Sequence, residues 1–168
     1  MATVLTASMR LALEATSTKD YGITDSKAVS NLGLVDSMNI ASGVADRMYH
    51  SSGSLADGVG VELDLLAILD PHGQALNLTK LMILVIRNTT AVIADAAHLI
   101  FSAGAANKWS APLGDASDTI IIAPATALYL INTEGWTVDA THKTIAVTHN
   151  GLGVAAATYQ IAIVGKVA

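Results

Sequence analysis

The side chains able to move protons or hold a metal are few and widely spread. Histidines stand at His50, His72, His98, His142 and His149, and none belongs to a His-Glu-x-x-His zinc pattern. The closest pair, His142 and His149, is seven residues apart. On a strand an odd separation puts two residues on opposite faces, so these two would make poor co-ligands. Solvated or locally hydrogen-bonded imidazoles are expected instead, with no metal and no cofactor. Cysteine is absent, which removes disulfides, thiolate metal sites and cysteine nucleophiles together.

Other short patterns have a structural reading beside a chemical one. Asp70-Pro71-His72-Gly73 could hold an acid beside an imidazole, but a proline-fixed turn explains Asp, Pro and Gly there equally well. Glu62 and Asp64 alternate with Val61, Leu63 and Leu65, which makes them a solvent-facing pair on a strand. Gly58-Val59-Gly60 lacks the third glycine of a dinucleotide fingerprint and is followed by a strand pattern where a helix should begin. Asn77-Leu78-Thr79 and Asn88-Thr89-Thr90 match the glycosylation acceptor by chance frequency alone. Trp109 and Trp136 each adjoin a turn; either could stack on a sugar, or close one end of a core. No nucleophile, base and orienting group come together, so no enzyme is expected.

The elements that would carry these residues are β-like. From Leu5 to Ala15 the odd positions, among them Leu5, Met9, Leu11 and Leu13, are apolar and the even ones mostly polar. That is a strand period, although Met9, Leu13 and the alanines also fit a helical spacing. These four residues are candidate contacts between subunits. Residues 16 to 43 give no clean period and read as an extended, irregular arm laid over a neighbouring surface.

Beyond the arm come eight short runs: Val44 to Ser51, Val61 to Leu66, Lys80 to Asn88, Ala97 to Ser102, Thr119 to Ile122, Ala127 to Ile131, Thr144 to His149 and Val154 to Val164. Turn-forming residues separate them: Ser51-Ser52-Gly53-Ser54, Asp70 to Gly73, Gly114-Asp115, Thr133-Glu134-Gly135 and Asn150-Gly151. The pattern predicts a β-sandwich or barrel over 44–168, with 1–43 as an N-terminal arm. Asn150-Gly151 predicts a tight hairpin joining the last two strands. The final strand is apolar on both faces, as for an interior or covered strand.

Charged residues make up 14 % of the chain, against roughly 25 % in ordinary domains. With glycine counted and tyrosine left out, about 57 % is apolar, above the usual ~45 to 50 %. Such a surplus predicts contacts between chains and a homo-oligomer. The net charge of −5, the scattered basic residues and 4 % aromatics argue against a nucleic-acid partner. The start, Met1 to Thr6, has no basic lead or apolar core, so no secretion signal is expected. The longest aliphatic run, Leu81 to Ile86, is far below the ~20 residues of a spanning helix, so no membrane partner is expected either.

From about Val44 onward the order of motifs resembles a family of small tailed-phage and prophage virion proteins. The matching stretches are Glu62-Leu63-Asp64-Leu65, the Asp70-to-Leu76 turn, Leu113-Gly114-Asp115-Ala116-Ser117-Asp118-Thr119, Gly135-Trp136-Thr137-Val138 and Thr158 to Gly165. The resemblance implies a jelly-roll-like β-sandwich used as a capsid decoration, or cement, protein. Its implied partner is the major capsid protein, and its implied place is the virion capsid surface after synthesis in the host cytoplasm. A trimer would suit threefold positions of an icosahedral shell. A neck, tail or fibre component, or a surface carbohydrate-binding module using Trp109 or Trp136, would share this composition.

Overall fold

The computed structural model describes residues 7–20, 27–40, 45–70, 72–91, 97–150 and 155–167. Alternation of apolar and polar residues builds eight sandwich strands, because one face of each can be buried while the other meets solvent or a partner. They are β3 (Arg47–Leu55), β4 (Gly60–Asp64), β5 (Lys80–Asn88), β6 (Leu99–Ala103), β7 (Thr119–Ile122), β8 (Ala127–Thr137), β9 (Thr144–His149) and β10 (Ala157–Lys166). Before them, β1 (Ala7–Asp20) and β2 (Lys27–Ile40) pair antiparallel in a separate two-stranded sheet.

The sandwich strands form two four-stranded sheets, in the orders β3-β10-β5-β8 and β4-β9-β6-β7, with every pairing antiparallel. Successive strands change sheet at every step except β6 to β7. This interleaving is the jelly-roll order, so the expected all-β sandwich is present. Between the sheets Ile161, Ile163, Leu84 and Ile86 of the first meet Leu99, Phe101, Ile145 and Val147 of the second in one core.

Trp109 is fully buried in that core, and its indole Nε1 donates to the Thr137 carbonyl at 3.0 Å. Its ring meets Trp136 edge-on, with centroids 5.9 Å apart. Of the two readings for the tryptophans, Trp109 therefore follows the core one and has no face free for a sugar.

Three of the expected runs match their strands end to end: Lys80–Asn88, Thr119–Ile122 and Thr144–His149. Four expectations need correction. The last two strands do not form a hairpin, since β9 lies between β4 and β6 while β10 lies between β3 and β5. Both carry one strongly apolar face, Ile145 and Val147 on β9 and Ile161 and Ile163 on β10, and the jelly roll sets these faces opposite one another across the core. Gly151 to Val154 lie outside the described residues.

Ser51 to Ser54 is not a turn but the continuation of β3 along β10. Gly53 sits opposite Tyr159, where a Cβ would come within 2.9 Å of the phenol oxygen. Glycine there serves close approach within a sheet rather than a bend. Likewise Thr133-Glu134-Gly135 does not end β8. Asn132 Oδ1 accepts from the backbone NH of Glu134 and Gly135, Gly135 takes φ +74, and the register against β5 shifts between Leu81 and Ile83. The turn chemistry makes a bulge, and the strand resumes.

The irregular reading of 16 to 43 gives way to strand over 16–20 and 27–40. Polar Ser, Thr and Asn obscured the alternation that pairing with β1 supports.

Candidate functional site

The strand run Leu81 to Ile86 is apolar at both parities, so β5 offers aliphatic residues to the core and to the outside of its sheet alike. Register carries that property across the outer face of β3-β10-β5-β8 in three rows. The first row is Met48, Val164, Ile83 and Ile131, all apolar. The second is His50, Ala162, Val85 and Tyr129. The third, Ser52, Gln160, Arg87 and Ala127, is polar apart from its alanine. A shallow groove of about 420 Å³ runs over the second and third rows, lined by His50, Val85, Arg87, Tyr129 and Gln160 among others.

Met48 is 41 %, Tyr129 48 % and Ile131 38 % exposed, so this apolar band stands open on the single chain. At one corner it is already partly covered. Ala45, Met82 and Ile83 are buried together, with Val85 and Val164 packed against them. The chain is pinned there by Asp46, whose NH donates to the Gly165 carbonyl and whose Oδ1 accepts from Val167 NH at 2.9 Å.

The other sheet differs. Its outer rows are Glu62, Ala146, Ser102 and Thr119, then Gly60, Thr148, Ile100 and Ile121. Small and polar residues dominate, and the groove of about 460 Å³ over them includes Glu62, Lys108 and Thr148. An aliphatic and aromatic centre with a polar margin is the composition of protein contact surfaces, in which tyrosine, methionine and arginine are enriched. The two outer faces are therefore not equivalent, and only the first has that composition.

The groups singled out for chemistry mostly hold the backbone. Asp70 Oδ1 accepts from the backbone NH of His72 at 2.8 Å and Gln74 at 2.9 Å, and Gly73 takes φ +78, so Asp70 to Gly73 is a turn; Pro71 lies outside the described residues. The Gln74 and His72 hydrogen bonds hold the Asp70 carboxyl below its ordinary pKa. Glu62 accepts from Ala105 NH at 2.7 Å, and Asp64 pairs with Lys143 Nζ at 2.7 Å while accepting from Leu66 NH. Burial alone would raise the Asp64 pKa, but the Lys143 and Leu66 hydrogen bonds together with the Lys143 charge outweigh it and lower it. Asp139 is held well below the usual carboxylate range by Thr141 and His142.

His142 is exposed beside Asp139 at one end of β9; His149 is buried at the other end, its Nδ1 3.1 Å from an Asp57 carboxylate oxygen. Among the described residues no group of three His, Asp or Glu is arranged to hold a metal ion.

Of the candidate subunit contacts, Leu5 lies outside the described residues. Met9, Leu11 and Leu13 occupy alternate positions of β1 and so share a face of the ribbon, opposite Met38, Asp36 and Leu34 of β2. The two-sided apolar character of the final strand, expected of a covered strand, belongs to this outer face, and the unalternating aliphatic run of β5 carries the same signal. Comparison with protein-family models, with curated proteins and with solved structures finds no match.

Proposed function

We propose that this chain is a structural, non-catalytic protein of a phage particle, a decoration protein that fastens to the major capsid shell as an oligomer. The observation that carries the reading is the open apolar band of Met48, Ile131 and Tyr129 on one outer face of the sandwich. A face of this kind supports an assembly role, because large contiguous apolar patches are uncommon on monomeric proteins. The jelly roll is an architecture of viral shell proteins as well as of lectins and cupins, which supports the reading by analogy of fold. The motif resemblance over Val44 to Gly165 points the same way.

The test is co-sedimentation of the purified chain with capsids of the phage that encodes it. Saturable binding at a fixed ratio to the capsid subunit is expected, weakened at least tenfold by Ile131→Asp. Binding indifferent to Ile131→Asp and Met48→Asp would refute the role of this face. Trp109 is buried and Trp136 packs half-buried against the core, so a carbohydrate-binding reading would rest on Tyr129 beside Arg87 and Gln160, the aromatic and polar groups that line the groove. Glycan binding lost in Tyr129→Ala would favour it.

A further inference from the structure

We propose that the outer face of the β3-β10-β5-β8 sheet meets the acidic β6–β7 corner of a second copy of this chain in a head-to-tail contact. This rests on reading that face as an assembly surface, and it names the occupant.

The face is cationic at both ends. Arg87 stands in its polar row, and beyond its aliphatic row Lys166 of β10 lies directly opposite Lys80 of β5. Like charges set opposite one another on neighbouring strands repel. Lys80 Nζ donates to the Thr137 hydroxyl at 3.1 Å, and among the described residues no carboxylate pairs with Lys80, Lys166 or Arg87. The three rows contain no Asp or Glu, although the chain carries a net charge of −5. The negative charge of the molecule therefore lies away from these rows.

Charge opposes pairing of the face with itself. A twofold axis along the strands would set Arg87 over Arg87 and the lysines over the lysines, and one across the strands would set Arg87 over the lysines. From Gln160, opposite Arg87, to Lys166 is six residues along β10, roughly 20 Å at ~3.4 Å each. Exposed charges are screened beyond about 8–10 Å, so the two ends act separately, and the opposed lysines are the end with repulsion to relieve. A contact between copies through this face is then heterologous, one copy giving its face and the next a different patch.

The β6–β7 corner has the complementary make-up. Asp115 and Asp118 are exposed in the connection before β7, and Ile121 of β7 is 68 % exposed, the most open large hydrophobic side chain among the described residues. The loop is held in shape: Asp115 Oδ1 accepts from the NH and hydroxyl of Ser117, and Asp118 Oδ2 accepts from Asp115 NH. Asp118 to Ile121 is three residues, roughly 10 Å at ~3.4 Å each. On the face, the row of Val164 and Ile131 lies two residues from Lys166 along β10, roughly 7 Å. The flexible lysine stem spans the difference. Two acids thus meet two opposed lysines while Ile121 settles on the row of Met48, Val164 and Ile131. The occupant is a second copy because this acidic and aliphatic patch stands on the same chain.

The experiment mixes full-length light and nitrogen-15-labelled chains, joins touching amines and carboxylates with a zero-length carbodiimide, and maps the amide links by mass spectrometry. The expected links run from Lys80 or Lys166 to Asp115 or Asp118, and include light chains joined to heavy ones. In sedimentation, Lys80→Glu with Lys166→Glu is expected to weaken self-association at least tenfold, and so is Ile121→Asp in a separate chain. Mixing these two variants should restore association only as a one-to-one pair, since each keeps one half of the contact; circular dichroism checks that both are folded. Links confined to single chains would overturn the proposal in favour of an acid of the chain's own. Association abolished by Ile131→Asp but indifferent to Ile121→Asp and to the lysine reversals would overturn it while leaving the assembly surface standing. A monomeric chain that needs Lys80 and Lys166 for shell binding would overturn it in favour of the shell as occupant. A monomeric protein whose shell binding ignores Ile131→Asp would remove the assembly surface itself.

Discussion

Asn88 offers a quantitative test of how the two sheets are locked together. It ends β5 in the first sheet and is fully buried. Its Nδ2 donates to the carbonyls of Ala97 at 2.7 Å and Ile122 at 3.1 Å, next to β6 and at the end of β7 in the second sheet. Its Oδ1 accepts from Thr90 NH at 3.1 Å. Asn88→Ala removes all three bonds, each worth about 1 kcal/mol net, and strips buried carbonyls of a donor at a further cost of about 1–3 kcal/mol. The expected loss is about 4–6 kcal/mol, a large part of the ~5–15 kcal/mol that holds a domain. At roughly 4 °C per kcal/mol for a domain of this size, Tm should fall by about 16–24 °C.

Thermal and urea unfolding of the full chain, followed by circular dichroism, would measure it. Asn88→Asp keeps the shape but, when ionised, cannot donate to either carbonyl. Burial would raise its pKa in the folded state, so the variant's deficit should be greatest at neutral pH and shrink as pH falls and the acid regains a proton to donate. A Tm change below about 3 °C for Asn88→Ala would refute the cross-sheet clamp.

Three further outcomes are expected. Gly165→Ala would drive a Cβ into the Lys80 carbonyl and within 2.9 Å of the Leu78 side chain, where the β10 register shifts, and should destabilise by about 2 kcal/mol or more in urea unfolding. The Asp64 pKa is lowered from its ordinary 3.8, so its contribution is present above that value and is lost as pH falls through the lower folded value; Asp64→Asn should flatten the acid limb of a Tm-against-pH curve. Ile131→Asp, at an open outer position, should change Tm by only a few degrees yet shift the sedimentation coefficient towards the single chain.

Much of the sandwich was legible because alternation reports a strand that buries one face. Lys80–Asn88, Thr119–Ile122 and Thr144–His149 carry that signal cleanly, and the sheet follows them end to end. Glycine and serine misled where their reason was close packing or a bulge: Gly53 makes room for Tyr159, and Gly135 turns a bulge inside β8. Asn150-Gly151 carries hairpin chemistry, yet strand order is set by which apolar faces meet across the core. Local turn chemistry does not encode that choice.

The candidate face is legible only in part, for a related reason: the two-sided apolar character of β5 and β10 shows in the sequence, but the composition of the face does not. Met48, Val85, Tyr129 and Val164 come from four strands, and only register gathers them into rows. Asn88, read as part of an acceptor pattern, became a buried clamp only once β5 was set against the ends of β6 and β7.

The proposed shell role is tested most directly by a cryo-EM reconstruction of the particles on which that proposal places this chain. Eight-stranded sandwiches are expected at regular positions on the outside of the capsid, the β3-β10-β5-β8 face buried and the opposite face turned to solvent. Particles whose shell carries no such density, with the chain found only at the neck or tail or not at all, would contradict it.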